Sequence, residues 1–274
     1  MVDKLTEIAR RDLPILKSLY TPDGSKNYIA FATVDTYIRW FEQDPNVKHI
    51  KFFCLNGDFS DGTFVVTDHN VAFADTFNES YDRLSRLLQL IDYSKDYIFQ
   101  NIRAELLPVV TNALEKANVP VDHCIEFLLY HLTQEKALKL DVQPPKGIEL
   151  RSLTESDVEK VISVWAHCDQ KTIPLIQAMA KYNPSVGALT EDGTLVAWAL
   201  RYPTGLIAAL QTDELFFGKG FGGLALRCIS KKIAELGHHV FGAVSENNAA
   251  SISLLHKHGF KMINVLHLIY TKVT

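Results

Sequence analysis

Four glycines fall within the six residues 218–223 of Phe217-Gly218-Lys219-Gly220-Phe221-Gly222-Gly223, with a lysine among them. Glycines let backbone N–H groups approach a ligand closely, and the first N–H groups of a helix have no partner inside it. Such a loop at a helix N-terminus is an anion site, suited above all to phosphate or pyrophosphate. Lys219 adds a full positive charge at the same place. The flanking residues supply the strand and helix that the site needs. Leu206-Ile207-Ala208-Ala209-Leu210 is a short apolar run of strand length. Leu226, Ile229, Ile233 and Leu236 recur at spacings of three and four, the stripe of a helix with one buried face. Gly237 stands where a helix end favours a left-handed residue.

Several phosphate-binding patterns compete for this loop. A P-loop needs four residues between its first Gly and a Gly-Lys-Ser/Thr, which the chain does not offer. Gly218, Gly220 and Gly223 satisfy the dinucleotide fingerprint G-x-G-x-x-G, and Glu246 follows the next strand. Only about fifty residues remain after it, few for the further strands of a doubly wound sheet. A third frame, Phe217-x-x-Gly220-x-Gly222, is decided by what surrounds it.

The bulk numbers narrow the class. At 274 residues the chain suits two ordinary domains or one large one, and 47% hydrophobic with 22% charged residues is globular composition. A net charge of −4 without a basic run argues against a nucleic-acid partner. No apolar stretch reaches the roughly 18 residues of a membrane span. Lys4, Arg10 and Arg11 mix with Asp3, Glu7 and Asp12, too acidic for a typical transit peptide. The expected location is cytoplasmic, with mitochondria as the alternative. Cys54, Cys124, Cys168 and Cys228 lie far apart with no metal spacing, so mostly buried, reduced thiols and no metal are expected.

The elements that position the loop come mainly from the second half. In the first, Leu5 to Tyr20 has a helical pattern that Pro14 ends or bends, and Val47–Leu55 reads as a strand. Thr63–Phe73 supplies hairpin strands, Ser80–Ile91 and Tyr97–Asn118 read as helices, and Cys124–Tyr130 as a strand. His123 and His131 are expected to pack or face solvent. Asp141-Val142-Gln143-Pro144-Pro145-Lys146-Gly147 has linker composition. The expected domains are therefore 1–143 and 144–274. After the linker come a strand from Ile148, helices from about Thr154 and Thr172, and two strands joined at Glu191-Asp192-Gly193. The apolar run, glycine loop and helix follow, then a strand at Val240–Val244, a helix capped at Asn247-Asn248, and a last strand from Met262 to Val273. That order suits a mostly antiparallel sheet.

Val244-x-x-x-Asn248-x-x-Ser251-Ile252-x-Leu254-x-x-Lys257-x-Gly259-Phe260, with the frame Phe217-x-x-Gly220-x-Gly222, resembles the Gcn5-related N-acetyltransferase (GNAT) superfamily over about Ile148 to Val273. Asp192-Gly193-x-x-Val196-Ala197-Trp198 and Pro203-Thr204-Gly205 resemble its glycine N-acyltransferase family. The resemblance implies an α+β fold with a mixed sheet, in two tandem GNAT-like domains, the first without a readable coenzyme A loop. It implies acyl-CoA or acetyl-CoA as co-substrate and a small amine or amino acid as acceptor. Pantetheine would bond to the backbone of Leu210, Gln211 and Thr212. The pyrophosphate would sit on Phe217, Gly218, Lys219, Gly220, Phe221, Gly222 and Gly223, any Cβ at Gly220 or Gly222 crowding it. Asn248 would contact the cofactor or cap its helix.

The chemistry is not assigned by the same reading. The family's general base falls at Leu206 and its acid, commonly a Tyr, at Leu255. Asp213, Glu214, Glu246, His256 and His258 are the substitutes within reach in sequence. The alternative is a CoA-binding or interaction protein that has lost catalysis. Acyl chain, acceptor and oligomeric state are not legible.

Overall fold

A computed structural model describes residues 2–20, 25–165 and 170–272, so the expected features at Cys168 and Val273 lie outside it. The first half runs β1 (Leu5–Glu7), α1 (Leu13–Leu19), α2 (Ser25–Gln43), β2 (Lys51–Leu55), β3 (Phe64–Asp68), β4 (Val71–Asp75), α3 (Asp82–Leu88), β5 (Ile98–Arg103), α4 (Leu107–Lys116) and β6 (Val121–Leu132). The chain continues through α5 (Gln134–Leu138), β7 (Ile148–Arg151), α6 (Glu155–Val164), α7 (Ile173–Tyr182), β8 (Ser185–Thr190), β9 (Leu195–Arg201) and β10 (Leu206–Thr212). It ends with α8 (Phe221–Glu235), β11 (Val240–Val244), α9 (Ala249–Lys257) and β12 (Lys261–Thr271).

Two compact units result, one from the described parts of 1–127 with 265–274, the other from 128–264. Their boundaries differ from the linker at 141–147. The reason is strand pairing. β12, last in the chain, pairs antiparallel with β5 through Leu266↔Arg103 and His267↔Ile102. The end of β6 pairs antiparallel with β11 through Leu132↔Val240 to Leu128↔Val244. Each sequence half thus ends in a strand that completes the sheet of the other half. The first unit's strand order is β1-β2-β3-β4-β5-β12, and the second unit's is β6-β11-β10-β9-β8-β7.

Among the described pairs each unit has one parallel pair, β4 with β5 and β10 with β11, in an otherwise antiparallel sheet. β3, β4 and β9 are buried along their whole length, which is why they read as continuous apolar runs rather than alternating ones. In the second unit Leu226, Ile229 and Ile233 of α8 are fully buried against Val186, Ala188, Val196, Ala197 and Ala199. In the first, Leu84, Leu87 and Leu88 of α3 and Val110 and Leu114 of α4 cover Val65, Ala72 and Phe99.

Local departures from the sequence reading have local causes. Pro14 opens α1 instead of ending a helix, because the first turn has no use for the missing N–H. The 97–118 span divides into β5 and α4, with Asn101 at φ +55 in the strand and Pro108 at the helix start. The 19-residue α2 was not anticipated at all. Of the described cysteines, Cys54 and Cys228 are buried and free, while Cys124 is exposed.

Candidate functional site

β10 holds the second unit's site. It pairs with β11 only at Leu206↔Phe241 and Ile207↔Gly242, so from Ala208 onward its β11 side has no ladder partner. On the other side it pairs with β9 at Ala208↔Leu200 and resumes at Gln211↔Trp198, skipping Ala209 and Leu210. Ala209 sits in this bulge at φ +48, which costs a non-glycine residue roughly 1–2 kcal/mol. A bulge leaves the extra residue out of the ladder and bends the strand. Bulge and gap coincide on one strand.

The glycine loop closes the same end. Gly218 and Gly220 have φ of +75 and +85, and Gly220 is the N-cap of α8 with no side chain capping it. The first-turn N–H groups of Phe221, Gly222 and Gly223 therefore remain for a ligand. A Cβ at Gly218 or Gly220 would meet nothing within 4 Å, so backbone conformation selects glycine there. At Gly222 a Cβ would stand 2.8 Å from Thr212 Oγ1, and at Gly223 3.1 Å from His258 Cε1. Packing against Thr212 of β10 selects Gly222, while at Gly223 the His258 ring would have to give by a few tenths of an ångström. The crowding expected at Gly220 and Gly222 concerned a bound phosphate, and these contacts are separate from it. Phe217 and Lys219 are exposed, and Lys219 Nζ lies 4.7 Å from the Phe216 ring centroid. Asn248 caps α9, its Oδ1 accepting from the Ser251 N–H at 3.0 Å.

Leu206 and Leu255 are buried and carry no proton chemistry. Of the substitutes, Asp213 bonds Lys160 Nζ at 2.6 Å, and that bond holds its carboxyl below the usual range. His258 accepts from Arg227 Nη1 at 3.1 Å through Nε2 and bonds the Leu254 carbonyl at 2.8 Å through Nδ1. Burial lowers its pKa, and both ring nitrogens are engaged. Glu214, Glu246 and His256 are exposed, and His256 Nε2 lies 3.3 Å from the Tyr130 hydroxyl. Tyr130 was missed in the sequence because it reaches β11 only through the pairing of β6. His123 stacks on Tyr270 and His131 on Phe241, packing roles as expected.

The first unit has the same strand arrangement with a different ending. β4 pairs with β5 at Val71↔Ile98 and Ala72↔Phe99. Beyond that point Arg103 Nη2 donates to Asp75 Oδ1 at 2.7 Å and to the Thr76 carbonyl at 2.8 Å, both side chains buried. A side-chain ion pair joins the strands there, and residues 76–81 after β4 contain no glycine.

Solved structures share this architecture. A Drosophila protein matches with a TM-score of 0.87 at 20% identity, covering 99% of both chains. A tandem GNAT protein from the clavulanic acid biosynthesis pathway matches at 0.59 and 11% identity, covering 99% of this chain and 98% of its own. A GCN5-related N-acetyltransferase from Sphaerobacter thermophilus matches at 0.51 and 15% identity, covering 98% and 95%. The chain has the GNAT fold. The family described as FR47-like protein matches residues 185–268, which include β10, the glycine loop and α9 of that fold. A search of curated proteins finds no match. Within the GNAT fold the mixed sheet with β10 parallel to β11 replaces the doubly wound sheet that a dinucleotide fingerprint requires. No helix among the described residues is long and apolar enough to cross a membrane.

Proposed function

We propose that the chain is an acyl-CoA-dependent N-acyltransferase acting on a small amine, with the co-substrate bound by the second unit. The observation that carries this reading is the alignment on β10 of an unpaired edge, a bulge and an uncapped helix N-terminus. Pantetheine amides would bond the free edge at Leu210 to Thr212, as an added strand does. The pyrophosphate would rest on the N–H groups at the start of α8, with Lys219 beside it. The acyl carbonyl would then lie near the bulge, where a backbone N–H can hold the oxyanion. The amine nitrogen attacks the thioester carbon, the C–S bond breaks, and the acyl group leaves on nitrogen. With Leu206 and Leu255 buried, the ammonium proton leaves to solvent and the thiolate is protonated from it. In this reading 144–274 is the acyl-transfer half and 1–143 a companion, with their last strands exchanged. Acetyl and longer acyl groups are both consistent with it, and glycine-type acceptors follow from the sequence resemblance alone.

The test is a thermal-shift titration with CoA, acetyl-CoA and longer acyl-CoAs. A ligand at about 100 times its Kd adds roughly 2.7 kcal/mol of stability. No shift with any of them at millimolar concentration would overturn the proposal, and Gly220→Glu is expected to abolish the shift. The two buried leucines favour a second reading, a CoA-binding protein without turnover. Release of free CoA against a panel of amines, lost in Gly220→Glu, would exclude it.

A further inference from the structure

The β3–β4 hairpin of the first unit turns through His69 and Asn70, closed by the pair Asp68↔Val71. His69 has φ +50, in a turn position where Gly, Asn or Asp is usual. Its imidazole lies against that of His49, ring centroids 4.0 Å apart and planes 16° from parallel. Asp68 sits beside both, its side chain 2% exposed. Its Oδ2 accepts a hydrogen bond from the Tyr37 hydroxyl at 3.1 Å. Its Oδ1 is buried with no hydrogen-bond partner and lies 3.3 Å from His49 Nε2. One donor atom from each of His49, Asp68 and His69 falls within 4.8 Å of the others, and no other group of three such residues meets that condition among the described residues.

We propose that His49, Asp68 and His69 form a binding site for a divalent cation of the zinc class. Two imidazoles and one carboxylate are a donor set that such ions favour. A tetrahedral ion with bonds of about 2.0–2.2 Å holds its donors roughly 3.3–3.5 Å apart, the separation already present between His49 Nε2 and Asp68 Oδ1; the His69 donor, within 4.8 Å of both, reaches the ion by turning its ring out of the stack on His49. The ion satisfies the buried Oδ1, which has no hydrogen bond and only the 3.3 Å approach of His49 Nε2. Tyr37 orients the carboxylate from outside the ligand set. His49 is 36% exposed, so solvent reaches the fourth position. Lys95 Nζ donates to the His69 carbonyl at 2.5 Å, a nearby positive charge that makes the site weaker than a four-ligand structural zinc site. The proposal is independent of the acyl-transfer reading.

The test uses the full chain, stripped with a chelator and titrated with zinc against a chromogenic indicator. One equivalent is expected in the wild type and in His123→Gln, a control in a surface histidine away from the hairpin. His49→Gln and His69→Asn are expected to weaken binding at least about tenfold, since even outer-shell changes cost that much. Asn tolerates a positive φ, so His69→Asn should keep its folded circular dichroism and thermal midpoint while losing zinc. Cobalt(II) should give visible ligand-field bands in the wild type and lose them in both variants. No saturable zinc in the wild type, or equal affinity in wild type and both variants, overturns the proposal.

Discussion

A Cβ on Gly222 would stand 2.8 Å from Thr212 Oγ1, so the first turn of α8 docks on the end of β10 at a distance only glycine allows. Glycine loop and open strand edge are therefore one rigid arrangement. Gly222→Ala is expected to lose about 1–3 kcal/mol of stability through overpacking, together with most CoA affinity. Thr212→Ala removes the opposing Oγ1. A double-mutant cycle by chemical denaturation should show the second substitution recovering most of that loss, while additive losses would mean the contact is not the cause.

Asp213 is the most tempting carboxylate near the site, and its bond to Lys160 argues against it as a base. Removing a true general base lowers turnover by roughly 10²–10⁴-fold. Asp213→Asn is expected to lower the amine acylation rate less than about tenfold, read as kcat at saturating acyl-CoA. A larger drop with KM unchanged would make Asp213 a catalytic residue after all.

Asp75 and Arg103 close the first unit's counterpart of the gap, and both are buried. Breaking one side of such a pair strands a charge, and Asp75→Asn should destabilise the chain by about 3–5 kcal/mol. Replacing both, Asp75→Leu with Arg103→Met, should be far milder. Denaturant midpoints check this, and a double variant as unstable as the single one would refute the account.

His131 gives a pH dependence with a definite sign. Burial, and then the neighbouring His239, hold its pKa at about 4 against an ordinary 6.5. Between those values the unfolded chain binds the extra proton, so folding stability contributed at higher pH is lost as pH falls from about 6.5 to 4. His131→Gln should flatten that part of the stability profile. An unchanged slope in thermal midpoints measured across pH 4–7 (about one point per half unit) would place the dependence elsewhere.

Local chemistry carried much of this protein in plain sequence. Gly237 ends α8 at φ +89, and Gly193 turns the β8–β9 hairpin at φ +83. Asp157 accepts from the Thr154 N–H at 2.7 Å, as an acid in a helix's first turn can. The stripe Leu226, Ile229, Ile233 predicted α8 and its buried face. Each is a statement about residues within a few positions of one another, where backbone geometry and periodicity act directly. The glycine loop belongs to this group, although the reason for Gly222 does not, since Thr212 had to be folded against it.

Tertiary structure decided what joins what. Any strand edge can satisfy any complementary edge, so nothing in Lys261–Thr271 says that it pairs with β5, or in Val121–Leu132 that its end pairs with β11. The gap between β10 and β11, the Tyr130–His256 contact and the cluster of His49 with Asp68 and His69 all follow from such pairings. His49 lies 20 residues from His69 in sequence, with no metal-ligand spacing to mark it. Residue types and spacing determined which local elements form and where the glycine loop falls. Long-range packing alone determined where the empty edge, the buried leucines and the Asp68 carboxylate would lie, because those depend on groups that meet only when the chain is folded.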